Sequence, residues 1–90
     1  MSINPQAPKT LAILEGDLNE ETFNKFKDKS VLAVDTEAMG LIHGRDRLCL
    51  VQICDDEDNV ACIKINRCQK SANKLKTLME QKSIEKVFHF

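Results

Sequence analysis

Hydrophobic positions along the chain fall into short runs separated by polar breaks. Residues 10–14, 31–37, 48–54, 60–65 and 85–90 are apolar runs rich in β-branched residues, and each predicts a strand. The run 10–14 ends at Gly16 and Asp17 and predicts an edge strand. In 48–54, Leu48, Leu50, Gln52 and Cys54 alternate with Cys49, Val51 and Ile53, so both faces are largely apolar. That pattern predicts a central strand, with Gln52 buried and in need of a hydrogen-bond partner.

Two stretches carry helical spacing instead. Asp17 followed by Glu20 resembles a helix-start signal, Glu20 and Glu21 suit a first turn, and Phe23 and Phe26 share a face. A short helix is expected over 19–28, docking its two aromatics in the core. Over 67–82, Cys68, Ala72, Leu75, Leu78 and Met79 form one stripe, with Lys70, Lys74 and Lys76 on the opposite, solvent-facing side. The connections between the second, third and fourth runs are short, which predicts an antiparallel meander. The second helix then allows the last strand to run parallel to an earlier one. The acidic stretch Asp55, Asp56, Glu57, Asp58 and Asn59 lacks the glycine and terminal glutamate of a calcium loop and reads as a solvated hairpin tip.

Composition narrows the function classes. With 90 residues the chain holds one domain at most, and 42% hydrophobic against 30% charged residues is a globular balance. Residues 1–9, with Pro5 and Pro8, read as a flexible arm before a domain at 10–90. A net charge of −1 leaves no broad basic field, so contact with nucleic acid has to be local. No apolar run is long enough to span a membrane and the N-terminus lacks the features of a signal peptide, so a cytoplasmic protein is expected. Cys49, Cys54, Cys62 and Cys68 contain no Cys-x-x-Cys pair, and the two histidines, His43 and His89, are scattered. The thiols read as small hydrophobes rather than zinc ligands.

The candidate chemistry sits at the end of the second run. Asp35 and Glu37 are two residues apart on a strand, so their side chains share a face, with Cα atoms about 6.5–7 Å apart. Two carboxylates so placed suit a pair of divalent cations, and oxygen ligands are those that Mg2+ and Mn2+ prefer. Acids are also common at solvated strand ends, and the spacing alone leaves both readings open. In the following loop, Arg45 and Arg47 are either solvated or placed to meet phosphates near the acids.

Three segments decide between these readings. Ala-Val-Asp-Thr-Glu-Ala-Met-Gly-Leu from Ala33, Arg-Asp-Arg-Leu-Cys-Leu-Val-Gln-Ile from Arg45, and Lys-Val-Phe-His-Phe from Lys86 resemble, in order, the start of a ribonuclease D-like 3′–5′ exonuclease domain of the DEDD group. The resemblance covers residues 31–90. It implies an α/β fold, the N-terminal part of a ribonuclease H-like fold: a three-stranded antiparallel meander, a helix, then a strand parallel to the first.

The resemblance also implies a function. Asp35 and Glu37 match the family's Asp-x-Glu motif and would ligate two divalent ions, Mg2+ or Mn2+, with Glu37 also approaching the terminal 3′-hydroxyl. Ala38, Met39, Gly40 and Leu41 would contact the terminal nucleotide, Leu41 against its base. His89 would support the site. The substrate would be a nucleic-acid 3′ end, RNA by the resemblance, hydrolysed by two-metal-ion catalysis. The sequence departs from the family in supplying only two of four acids: it stops before the aspartate that follows His89 in relatives. The chain alone is therefore expected to be inactive. The other reading is a non-catalytic remnant that binds nucleic acid or a partner. Strands apolar on both faces with few helices to cover them are expected to favour association.

Overall fold

The strands form where the short apolar runs lie, and burial alternates along the first and the fourth of them. The computed structural model describes residues 9–39, 48–66 and 69–89. Its elements are β1 Thr10–Glu15, α1 Glu20–Phe26, β2 Val31–Met39, β3 Leu48–Cys54, β4 Asn59–Asn66, α2 Asn73–Glu80 and β5 Glu85–His89. They build one five-stranded sheet in the order β1-β4-β3-β2-β5. β2, β3 and β4 are the expected antiparallel meander, with β3 in the centre. β5 returns parallel to β2, and β1 closes the other edge parallel to β4.

One face of this sheet holds the core. Leu32 and Val34 of β2, Val51 and Ile53 of β3, and Ala61 and Ile63 of β4 are all buried there. Phe26 of α1, Leu78 of α2, and Leu18 and Ile84 from the connections pack onto them. Each fully buried aliphatic or aromatic side chain contributes about 1.5–3 kcal/mol of transfer free energy, so this face dominates stability.

Both helices start differently from the expectation. The cap of α1 is Asn19, whose side chain accepts from the Thr22 N–H at 2.8 Å. Asp17 instead caps α2 from across the fold. It accepts from the N–H groups of Lys74 at 2.9 Å and Leu75 at 2.8 Å, and from Leu18 N–H at 2.8 Å. Burial pushes this carboxyl up, but the three N–H donors and the Lys74 charge outweigh it and hold the pKa below the ordinary value. α2 itself begins at Asn73 rather than 67; its N-cap residue, Ala72, has no side-chain acceptor, and Asp17 takes that role for the first-turn N–H groups. Lys74, expected in solvent, is half-buried at this junction, and Cys68 lies outside the described residues.

The turn from β4 into α2 is tied down by Gln69. Its side-chain nitrogen donates to the carbonyls of Ser71 and Gly16, and its oxygen accepts from Asn66 N–H. Gly16 has φ +87°, where a side chain would be strained, and a Cβ there would sit against Gln69.

The β3–β4 hairpin is less solvated than its acids suggest. Asp55 and Asn59 are buried, while Asp56, Glu57 and Asp58 are exposed. Asp55 accepts from the N–H groups of Glu57 and Asn59 and from Asn59 Nδ2, and so closes the turn with its own side chain. Asp58 takes the left-handed conformation, with φ 64°.

Gln52 also departs from expectation: it is exposed. The expectation took both faces of β3 to be covered. Among the described residues only one is, and Gln52 stands on the other.

Candidate active site

Alternation along β2 separates two sets of residues. Leu32 and Val34 point into the core, whereas Asp35 and Glu37 are exposed. Asp35 and Glu37 therefore share a face, as the spacing predicts. Among the described residues, every ion pair centres on Lys29, so neither carboxylate is neutralised by a basic side chain.

The sheet register shows what surrounds them. Asp35 lies opposite Gln52 of β3, and Gln52 opposite Cys62 of β4, which pairs with Ile13 of β1. On the other side, β5 brings the His89 backbone into register with Asp35. One step along, Glu37 pairs with Leu50, Leu50 with Lys64, and Lys64 with Glu15. One step back, Ala33 pairs with Cys54 and with Val87, Cys54 with Val60, and Val60 with Leu11. Polarity on this open face thus rises across three rows, from wholly apolar through mixed to charged. The two acids lie in the mixed and charged rows on β2.

Sequence reasoning placed Asp35 and Glu37 together and missed Gln52 as the neighbour of Asp35 on that face, and Lys64 two strands from Glu37 beyond Leu50. The signal for Gln52 was present, a carboxamide within an apolar strand, but only the register discloses what it faces. Ala38 and Met39 extend β2 past the acids in backbone terms. Leu41, His43, Arg45 and Arg47 lie outside the described residues.

A second group of acids has a different character. Asp55, Asp56 and Glu57 bring one carboxylate oxygen each within 4.8 Å of one another. The Lys29 ammonium fills that cluster, 3.4 Å from Asp55, 3.9 Å from Asp56 and in contact with Glu57. The hydrogen bond to Glu57, with Asp55 adding to it against desolvation, pushes the Lys29 pKa up. Burial raises the Asp55 carboxyl, but the Asn59 side chain, two backbone N–H groups and Lys29 bring it below the ordinary value. The protein supplies its own cation here, and the group is a hairpin clamp.

Comparison with known proteins agrees with this geometry. The profile of a 3′–5′ exonuclease family matches residues 12–90. A solved nuclease in its apo form is similar at 34% identity and TM-score 0.73, over 90% of this chain and 38% of its own. Brucella melitensis NrnC is similar at 37% identity and TM-score 0.73, with the same coverages. That nuclease with bound Mg2+ gives 37% identity and TM-score 0.72, over 90% of this chain and 39% of its own. The present chain thus spans well under half the length of these nucleases. A comparison with curated proteins finds no match. The fold is the N-terminal part of a ribonuclease H-like domain, and the chain belongs to the 3′–5′ exonuclease family.

Proposed function

We propose that this chain carries the first two carboxylates of a divalent-cation-dependent 3′–5′ exonuclease acting on RNA. The observation that carries the reading is the exposure of Asp35 and Glu37 on one face of β2, free of any basic partner among the described residues. Two unneutralised oxygen donors on one rigid strand fit a hard divalent cation. Brucella melitensis NrnC binds Mg2+ and, in another structure, pGG, which supports the same ion and a nucleic-acid substrate here.

In this reading Asp35 and Glu37 hold two divalent ions, Mg2+ or Mn2+, and Glu37 also meets the terminal 3′-hydroxyl. Ala38, Met39 and Leu41 contact the last nucleotide, and His89 supports the site from β5. A bound divalent cation supplies Lewis-acid stabilisation of charge on the phosphate and the leaving oxygen. Because Mg2+ demands about six oxygen ligands, two carboxylates alone hold it weakly. The 90-residue chain by itself therefore releases no nucleotides.

The test is the mass of the native gene product together with its activity. A mass clearly above 10.2 kDa, with Mg2+-dependent shortening of a 3′-hydroxyl RNA that Asp35→Ala abolishes, is the expected result. Equal shortening of a DNA strand would overturn the RNA preference. A product of 10.2 kDa that binds RNA without cutting it would favour a non-catalytic binding remnant. The open apolar face beside the acids gives that second reading its physical basis.

A further inference from the structure

Gln52 is the one side chain of the central strand whose chemistry the fold does not explain. β3 otherwise contributes Val51 and Ile53 to the core and half-buried Cys49, Leu50 and Cys54. A carboxamide here adds nothing to packing, because Gln52 is exposed. Its register partner on one side is Asp35 and on the other Cys62.

Among the described residues, only Cys62 hydrogen-bonds the amide, and no hydrogen bond joins Gln52 to Asp35 in the structure. The Cys62 thiol donates to Gln52 Oε1 at 3.9 Å. That contact is long and weak, and the NH2 group has no acceptor among the described residues. In the adjacent rows on that face Ala33 and Cys54 offer no strong acceptor, whereas Glu37, diagonal to Gln52, is a second carboxylate, so the test has to separate the two acids. Directly opposed residues have Cβ atoms about 4.5–5.5 Å apart, so a change of the outer torsions of Gln52 that gives up the Cys62 contact can bring Nε2 to the Asp35 carboxylate with the backbone unchanged.

We propose that Gln52 is a positioning residue for this site, donating its Nε2–H to one oxygen of the Asp35 carboxylate and so turning the other toward the cation. The inference rests on the reading of Asp35 as a metal ligand. Groups behind metal ligands fix their orientation in this way, and losing them typically weakens metal binding about 10–100-fold. Gln52 is neutral, so it orients the carboxylate without neutralising it, as a lysine would.

Two measurements on the native gene product test this. In nitrogen-15 spectra, the Gln52 side-chain NH2 resonances are expected to shift on Asp35→Asn and to stay in place on Glu37→Gln. Resonances indifferent to Asp35→Asn would overturn the proposal, and this readout survives if a Gln52 variant fails to fold. In Mn2+ titrations followed by electron paramagnetic resonance, Gln52→Met is expected to weaken binding about 10-fold, the low end for such partners. Gln52→Asn, which keeps the amide, should recover part of that loss. The thermal midpoint should not move, since an exposed side chain with no packing role is being changed. If Asp35→Asn abolishes Mn2+ binding while Gln52→Met leaves it unchanged, Gln52 has no positioning role and the metal site stands. If Asp35→Asn itself leaves Mn2+ binding unchanged, the metal reading fails, and the NH2 resonances alone decide whether Gln52 bonds Asp35.

Discussion

The two faces of one sheet do opposite work. On the covered face, Leu32, Ile53, Ala61 and Ile63 have no solvent exposure, and both helices pack there. On the open face, Leu11 is 54% and Ile13 66% exposed, and the acids stand in solvent. The same five strands supply both, because alternate residues along each strand point to opposite sides. Stability is therefore concentrated on one face and the two candidate acids stand on the other, and substitutions should sort by face rather than by strand.

The largest effect should come from the covered face. Ile53→Ala is expected to cost about 2–5 kcal/mol, read from urea denaturation, because it opens a cavity in the closed layer. Ile13→Ala, on the open face, should cost within about 0.5 kcal/mol. Equal costs for the two would mean that the open face is packed in solution and would break the comparison.

Next comes the hairpin clamp. Asp55→Ala strips the acceptor from two backbone N–H groups and from Asn59 Nδ2. A loss of about 2 kcal/mol is expected, in line with leaving buried donors unsatisfied. Asp56→Ala, at the exposed neighbour, should change the denaturation midpoint hardly at all.

Asp17→Ala should be smaller, about 1 kcal/mol, the usual worth of a cap. Its pH dependence has a definite sign. The folded pKa of Asp17 is depressed, so its contribution is complete above the unfolded value, near pH 4, and is lost as pH falls through the folded value. The stability gap between native and Asp17→Ala chains should therefore be full at neutral pH and close as the solution is acidified below that point. A gap that stays constant with pH would show that the carboxylate charge is not what caps α2.

The smallest effect on stability belongs to the acids themselves. Asp35→Asn should leave the thermal midpoint unchanged while removing divalent-cation binding. On the same face, replacing Leu11 and Ile13 with serine should change the unfolding curve little, and any self-association measured by sedimentation should fall. Persistence of association in that variant would locate the contact elsewhere.

Much of this arrangement was legible in the residues. Short apolar runs bounded by polar breaks foretold all five strands, the short connections foretold the meander, and the spacing of Asp35 and Glu37 put them on one face. Strand and helix types are local consequences of repeat length, so they can be read one segment at a time. Helix starts were not legible in this way. Asp17 looks like a cap for the helix just after it, yet it serves one that begins some fifty residues later, and no local pattern encodes that. Likewise Asp55 sits in a run of acids, and only folding singles it out as the buried one.

The sequence by itself determined the elements, their alternation and the two acids, because side-chain periodicity and steric preference act between near neighbours. Only the tertiary structure decided which face is covered, and with it whether Gln52 is a buried amide or an exposed neighbour of Asp35. The physical reason is that burial belongs to the face, and a face is assembled from strands far apart in the chain. The row joining Ile13, Cys62, Gln52 and Asp35 exists only once four strands are in register.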